Sequence, residues 1–306
     1  IQVHRQILSI APDRQPVRKR LIELQLKNHA YQAAEILARE YIKKGADDAD
    51  AHRLLAHALE GIGFSGETKA LDEAIQEYET AERKQPGDII GAERLAYLYR
   101  SKTNDPAKAR QIMDALLKYN TNSAPARLAR FRFFLTLGTP ESAKLAMTEI
   151  DEALKIAPGD LDARLIAAET AAQRGDAATA RRHLAAINPR PANDLRINLI
   201  EGLIELGEQR TDDAIQSWRA GLVQTGGANA DLTWRLAHVL LQLGRVRDAE
   251  PLMSQYRRLT GGTEPTPEYR YLVALAYLRM GRTNEAVKEL EAIRYKMDKA
   301  LEGQLY

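Results

Sequence analysis

The segment Gly61-Ile62-Gly63-Phe64-Ser65-Gly66-Glu67-Thr68 satisfies GxGxxG and departs by one residue from the phosphate-loop pattern GxxxxGK[ST]. A dinucleotide fingerprint follows a strand and opens a helix, and a phosphate loop carries a Lys to neutralise the phosphates. Here a helical apolar pattern precedes the glycines, and Glu67 puts a negative charge where that Lys would stand. The segment therefore reads as a glycine-rich turn. The six histidines, His4, His29, His52, His57, His183 and His238, form neither HExxH nor an i, i+4 pair able to clamp a metal from one helix face. No GxSxG elbow occurs, and Glu149, Asp151 and Glu152 have the spacing of a solvated helix surface. No catalytic residue, cofactor or metal is expected. In the stretch ARLARFRFF, residues 126–134, Arg127 and Arg130 share one helix face while Phe131 and Phe134 share another. That is either an amphipathic helix with its Phe side in the core or a basic-aromatic patch for an acidic peptide.

Composition narrows the classes. The 306 residues carry 44 Lys+Arg against 42 Asp+Glu, a formal net charge of +2, and no Cys. Disulfides, thiolate zinc sites and cysteine nucleophiles are excluded. The near balance of charge argues against nucleic acid, whose binders carry a clear basic excess. No run approaches eighteen uncharged apolar residues, so insertion of this chain into a membrane is not expected. Ile1 opens the sequence without Met or a basic-then-apolar leader, which suggests a processed or excised piece of a larger parent. Localisation stays open on these grounds.

The elements that would position any site come from an internal repeat. Ala34, Ala74, Ala109, Ala146, Ala180, Ala214, Ala249 and Ala286 recur at intervals of 34 to 40 residues. Four positions after each stand Ala38, Tyr78, Met113, Ile150, Leu184, Trp218, Met253 and Leu290. Seven positions after come Tyr41, Ala81, Leu116, Ala153, Ile187, Gly221, Tyr256 and Ile293. This i, i+4, i+7 pattern is one face of a helix. Pro86 and Pro158 fall twelve residues beyond their alanines, where the helix should stop. A second helical pattern precedes each alanine, as in RLIAAETAAQRG (164–175) and YLVALAYLRMG (271–281). Gly63, Gly138, Gly175, Gly244 and Gly281 suit the left-handed residue just past its end. Small residues such as Ala56 and Ala74, or Ala274 and Ala286, permit two antiparallel helices to cross closely.

These features resemble the tetratricopeptide repeat (TPR) family, whose unit is a helix–turn–helix of about 34 residues. The resemblance covers residues 15–300, divided as 15–48, 49–88, 89–122, 123–160, 161–194, 195–229, 230–266 and 267–300. Residues 1–14 look like the second helix of a preceding repeat, and 301–306 form a tail. The expected fold is all-α, a right-handed α-solenoid of about eight repeats. The second repeat carries about six extra residues between its helices, and the fourth about four, including Thr139-Pro140. In the fourth, Arg130 or Phe131 occupies the position that is small elsewhere.

In this family the first helices of each pair line a concave groove, and ligand contacts come mainly from their second, fifth, ninth, twelfth and thirteenth positions. Carried over by position, the resemblance implies partner-binding roles for Arg53 and His57 in the second repeat, and for Tyr97 and Arg100 in the third. Arg132 or Phe131 would face inward in the fourth, Glu169 in the fifth, Trp234 and His238 in the seventh, and Tyr271 in the eighth. For Trp234 and Tyr271 the alternative is packing between repeats. Family members that hold a terminal carboxylate use Lys at the fifth position and Asn at the ninth. Here Lys19 is followed by Glu23 and Arg53 by His57, which argues against such a receptor. The expected function is a non-catalytic scaffold binding a peptide or protein segment in its groove. The alternative is a regulatory or substrate-selecting part of a larger enzyme or envelope export assembly, such as a glycosyltransferase or an exopolysaccharide secretion system. Self-association through terminal repeats is a third possibility.

Overall fold

A computed structural model of the chain describes Gln2 and residues 14–300 apart from 192 and 263. Apart from Gln2 and Arg14, the helix expected over 1–14 lies outside the described residues, as does the tail 301–306. Among the described residues there are sixteen α-helices and no strand. The chain is an all-α helical-repeat solenoid, and residues 1–156 and 157–306 are two compact units.

The first unit holds α1 (Gln15–Lys27), α2 (Tyr31–Lys43), α3 (Ala49–Phe64), α4 (Ala70–Lys84), α5 (Ile89–Ser101), α6 (Pro106–Tyr119), α7 (Ala124–Leu135) and α8 (Pro140–Ile156). The second holds α9 (Leu161–Gln173), α10 (Ala177–Ala185), α11 (Leu195–Gly207), α12 (Thr211–Gln224), α13 (Ala230–Gln242), α14 (Val246–Thr260), α15 (Pro267–Arg279) and α16 (Thr283–Ala300). Odd-numbered helices are the first of each pair. Every repeat-marking alanine, from Ala34 to Ala286, has 0% of its surface exposed. A side chain larger than methyl at these crossings would force the pair apart.

A polar residue that opens seven of the eight first helices, α3 to α15, gives the register; Arg14, before α1, makes no such side-chain bond. Asp48, Asp88, Ser123, Asp160, Asn229 and Thr266 each accept a hydrogen bond from the backbone N–H three residues on, and Asp194 accepts one from Arg196 N–H. Such caps satisfy helix-end donors that would otherwise have no partner. Between the helices of each pair one residue is left-handed: His29, Gly66, Asn104, Gly138, Gly175, Gln209, Gly244 and Gly281.

That series corrects the expectation for Gly63. It lies inside α3, and a Cβ there would come within 2.3 Å of the Leu71 side chain. Gly61 is likewise helical, with the Tyr31 ring 2.3 Å from where its Cβ would be. These glycines let helices approach, and Gly66, at φ +131°, makes the turn. Much of the extra length of the second repeat therefore extends α3 to sixteen residues, against thirteen for most first helices. In the fourth repeat, Pro140 opens α8 rather than lengthening the connection, and α8 runs to seventeen residues.

Candidate partner-binding surfaces

Counted from the cap at Ser123, Phe131 is the eighth residue of α7 and is buried, while Arg132 is the ninth. The ninth position, one that the resemblance assigns to ligands, thus falls on Arg132. Its guanidinium meets Glu93 of α5 at 2.7 Å. Similar ties recur between neighbouring first helices of this unit. Lys19 of α1 pairs with Asp50 of α3. Arg53 of α3 pairs with Asp50 and, at 3.0 Å, with Asp88, the cap of α5. Arg94 of α5 donates to Glu60 of α3 at 2.9 Å. Positions expected to meet a ligand are thus partly engaged in joining one repeat to the next.

Glu60 is only 3% exposed. It also accepts from Tyr78 Oη at 2.9 Å, so both carboxylate oxygens are used. Burial and this carboxylate together push the Tyr78 phenol up. Above Glu60 lies a cleft of about 190 Å³ lined by Tyr31, His57, Gly61, Phe64, Ser65 and Arg94. His57 is half-buried there. Desolvation, with a contribution from Arg94, lowers its pKa and favours the neutral ring.

Next to it is a second cleft, of about 120 Å³. Ala96, Tyr97, Met113, Ala129 and Phe133 line it, with Glu93, Arg100, Arg132 and Thr136 also contributing. Tyr97 and Phe64, each lining one cleft, have ring centroids 5.8 Å apart. Arg100 Nη1 donates to the Thr136 carbonyl at 3.3 Å. Tyr97, Arg100 and Arg132 thus meet at one cleft, His57 lines its neighbour, and Arg53 is drawn into ion pairs beside the α5 cap.

The basic-aromatic stretch 126–134 is self-neutralised. Arg127 and Arg130 each reach Glu149 at 3.0 Å, and Arg130 also meets Asp114 at 2.8 Å. Phe131, Phe133 and Phe134 are buried. Glu149 is buried as well, which corrects its reading as a solvated charge.

In the second unit, Trp234 and His238 stand one turn apart on α13, and Tyr271 stands on α15. The Trp234 and His238 rings stack at 4.9 Å with 14° between planes. Tyr271 lies 6.4 Å from Trp234 and 5.7 Å from His238. Trp234 Nε1 donates to the Glu268 carbonyl of α15 at 3.3 Å, so this aromatic group also joins two repeats. Desolvation lowers the His238 pKa. Glu169, on α9, is half-buried and accepts from Gln173 at 3.2 Å. Desolvation raises its pKa, and Arg235 opposes the rise only in part.

A family model described as tetratricopeptide repeat matches residues 199–262 and 234–298. The matched stretch carries α13 to α15 and their ring stack. Residues 199–298 are TPR repeats.

No curated protein is significantly similar to it in sequence. Among solved structures it resembles the APC/C hetero-tetramer Cut9-Hcn1, with TM-score 0.60 and 15% identity, over 99% of this chain and 58% of that one. It resembles yeast Tom70, with TM-score 0.60 and 17% identity, over 90% of this chain and 56% of that one. The chain thus spans little more than half the length of those two proteins. It also resembles PilW, a widely conserved type IV pilus biogenesis factor, with TM-score 0.54 and 16% identity, over 71% of this chain and 97% of that one. At these identities the likeness is one of fold.

Phe64, Arg94, Phe133 and buried Glu60 were not singled out from the sequence. Phe64 was hidden by the glycine-rich reading of 61–68, which placed it in a turn rather than in the last turn of α3. The evenly recurring Asp, Ser, Asn and Thr caps were the available signal, since they index every first helix after α1.

Proposed function

We propose that this protein is a non-catalytic scaffold that holds a peptide or protein segment on the faces presented by its first helices. The observation that carries this reading is the Trp234–His238–Tyr271 stack. Trp and Tyr supply large, rigid contact area, and they dominate binding hot spots. The three rings stand at the fifth and ninth positions of successive first helices, the positions that the family resemblance assigns to ligands. The half-buried, neutral-leaning His238 presents a ring whose desolvation has already been met by folding.

The test is selection of displayed random peptides on the immobilised chain, followed by affinity measurement on a Trp234→Ala/His238→Ala variant. Selected peptides should lose about tenfold or more in affinity, the scale set by one hot-spot residue. Far-UV circular dichroism should show the helices retained. Undiminished binding by a folded variant would move the site off this face. Arg53 is left intact because its ion pairs with Asp50 and Asp88 make its removal a perturbation of the helix stack.

A further inference from the structure

We infer that the α3–α5–α7 face of the first unit selects an extended segment in which an apolar side chain lies beside a carboxylate. This deepens the scaffold reading and rests on it.

Two exposed aromatic rings stand side by side on this face: Phe64 is 53% exposed and Tyr97 43%. Single exposed apolar residues are ordinary, whereas a contiguous apolar patch marks an interaction surface. Beyond Tyr97, the small residues Ala96 and Ala129 leave a hollow floored by Met113 and walled by Phe133. Its volume of about 120 Å³ far exceeds the roughly 10–15 Å³ that one water needs, and its lining is mainly apolar. An apolar side chain gains there what water cannot.

Charge at the rim supplies the second half of the argument. Arg94 is answered by Glu60 and Arg132 by Glu93. Arg100, on the rim of the same hollow, meets a backbone carbonyl at 3.3 Å and, among the described contacts, no carboxylate. A guanidinium offers a fork of donors that matches a carboxylate, and the charge-assisted pair is stronger than the bond to a neutral carbonyl. An acidic residue next to the inserted apolar one would complete the site. A basic residue would meet Arg100 as a like charge.

The experiment uses the full chain and fluorescein-labelled synthetic peptides in a Gly/Ser background. Each carries one Leu or Phe flanked by Glu, by Lys or by Ser, and binding is followed by anisotropy at about 0.1 M salt, where exposed charges still act over about 10 Å. The Glu series should bind about tenfold tighter than the Lys series, with Ser between. Arg100→Glu should invert that ranking, and Phe64→Ala should weaken the Glu series. Both side chains reach the surface, so both variants should keep their helices. Equal binding of the three series, or a ranking that survives Arg100→Glu, overturns the inference. So does displacement of the Glu series by single-stranded oligouridylate, which would mark the face as a nucleic-acid surface. If displayed peptides are selected and depend on Trp234 but are indifferent to Arg100→Glu, the scaffold reading stands and this selectivity falls. If no peptide is selected at all, both fall.

Discussion

Three carboxylates show how different settings give one residue type different roles. Glu60 and Glu149 are buried; Arg94 meets the first at 2.9 Å, and Arg127 and Arg130 meet the second at 3.0 Å. Carboxylates are almost never so buried unless paired. Glu169 is half-buried and receives an amide from Gln173 in place of a cation, so desolvation dominates and its pKa rises above 4.5. Between that ordinary value and the raised one, the folded chain binds more protons than the unfolded chain. Stability contributed at this site is therefore lost as pH rises through the window. Glu169→Gln removes the loss, so urea unfolding should show the variant gaining on the wild type as pH rises above about 4.5. A difference independent of pH would mean that Glu169 stays ionised in the fold. His57 and His238, whose pKa values are lowered, act with the opposite sign, with stability rising as pH climbs toward 6.5. They are common to both proteins and cancel in the comparison.

At the scale of elements, the connection between paired helices recurs with one left-handed residue, but its side chain varies. Gly244 at φ +73° and Gln209 at φ +62° occupy equivalent turns in the second unit. An L-residue in that conformation costs roughly 1–2 kcal/mol, while glycine carries a smaller entropic cost in the unfolded chain. Gln209→Gly should therefore stabilise by up to about 1 kcal/mol, and Gly244→Ala should destabilise by a similar amount. Thermal melts of the two variants give the check, and shifts of the same sign would refute the equivalence of the turns. Four of the five glycines expected to be left-handed were correctly located from sequence, and Gly63 was not. A glycine required for close helix packing and one required for a positive φ look identical in a sequence. Only the neighbour, here the Leu71 side chain 2.3 Å from where a Cβ would stand, distinguishes them.

At the scale of the whole molecule, each unit has its own apolar clusters. One is built around Leu55, Leu59 and Tyr78, and others around Ile200 and Leu240. Repeat stacks draw stability from nearest-neighbour interfaces, so cooperativity weakens along the chain. Both tryptophans of the sequence, Trp218 and Trp234, lie in the second unit. Tryptophan fluorescence therefore follows that unit alone, whereas far-UV circular dichroism follows all the helices. Urea transitions from the two probes should fail to coincide, and superimposable curves would indicate a single cooperative unit.

The sequence by itself determined the repeat, the all-α class and the closely approaching faces of the helices. A methyl-sized residue recurring with helical spacing leaves few other ways to bury it, and all eight marker alanines are fully buried. Only the tertiary structure decided which charged and aromatic side chains are spoken for. Arg127 and Arg130 read equally well as a binding patch until Glu149, on the following helix, is seen to lie against them. Arg53 and Arg100 both stand on first helices, yet one meets two carboxylates and the other a carbonyl. The difference depends on which residues the stacking of repeats brings within about 3 Å, the range of a hydrogen bond. Periodicity along one helix carries no information about that distance.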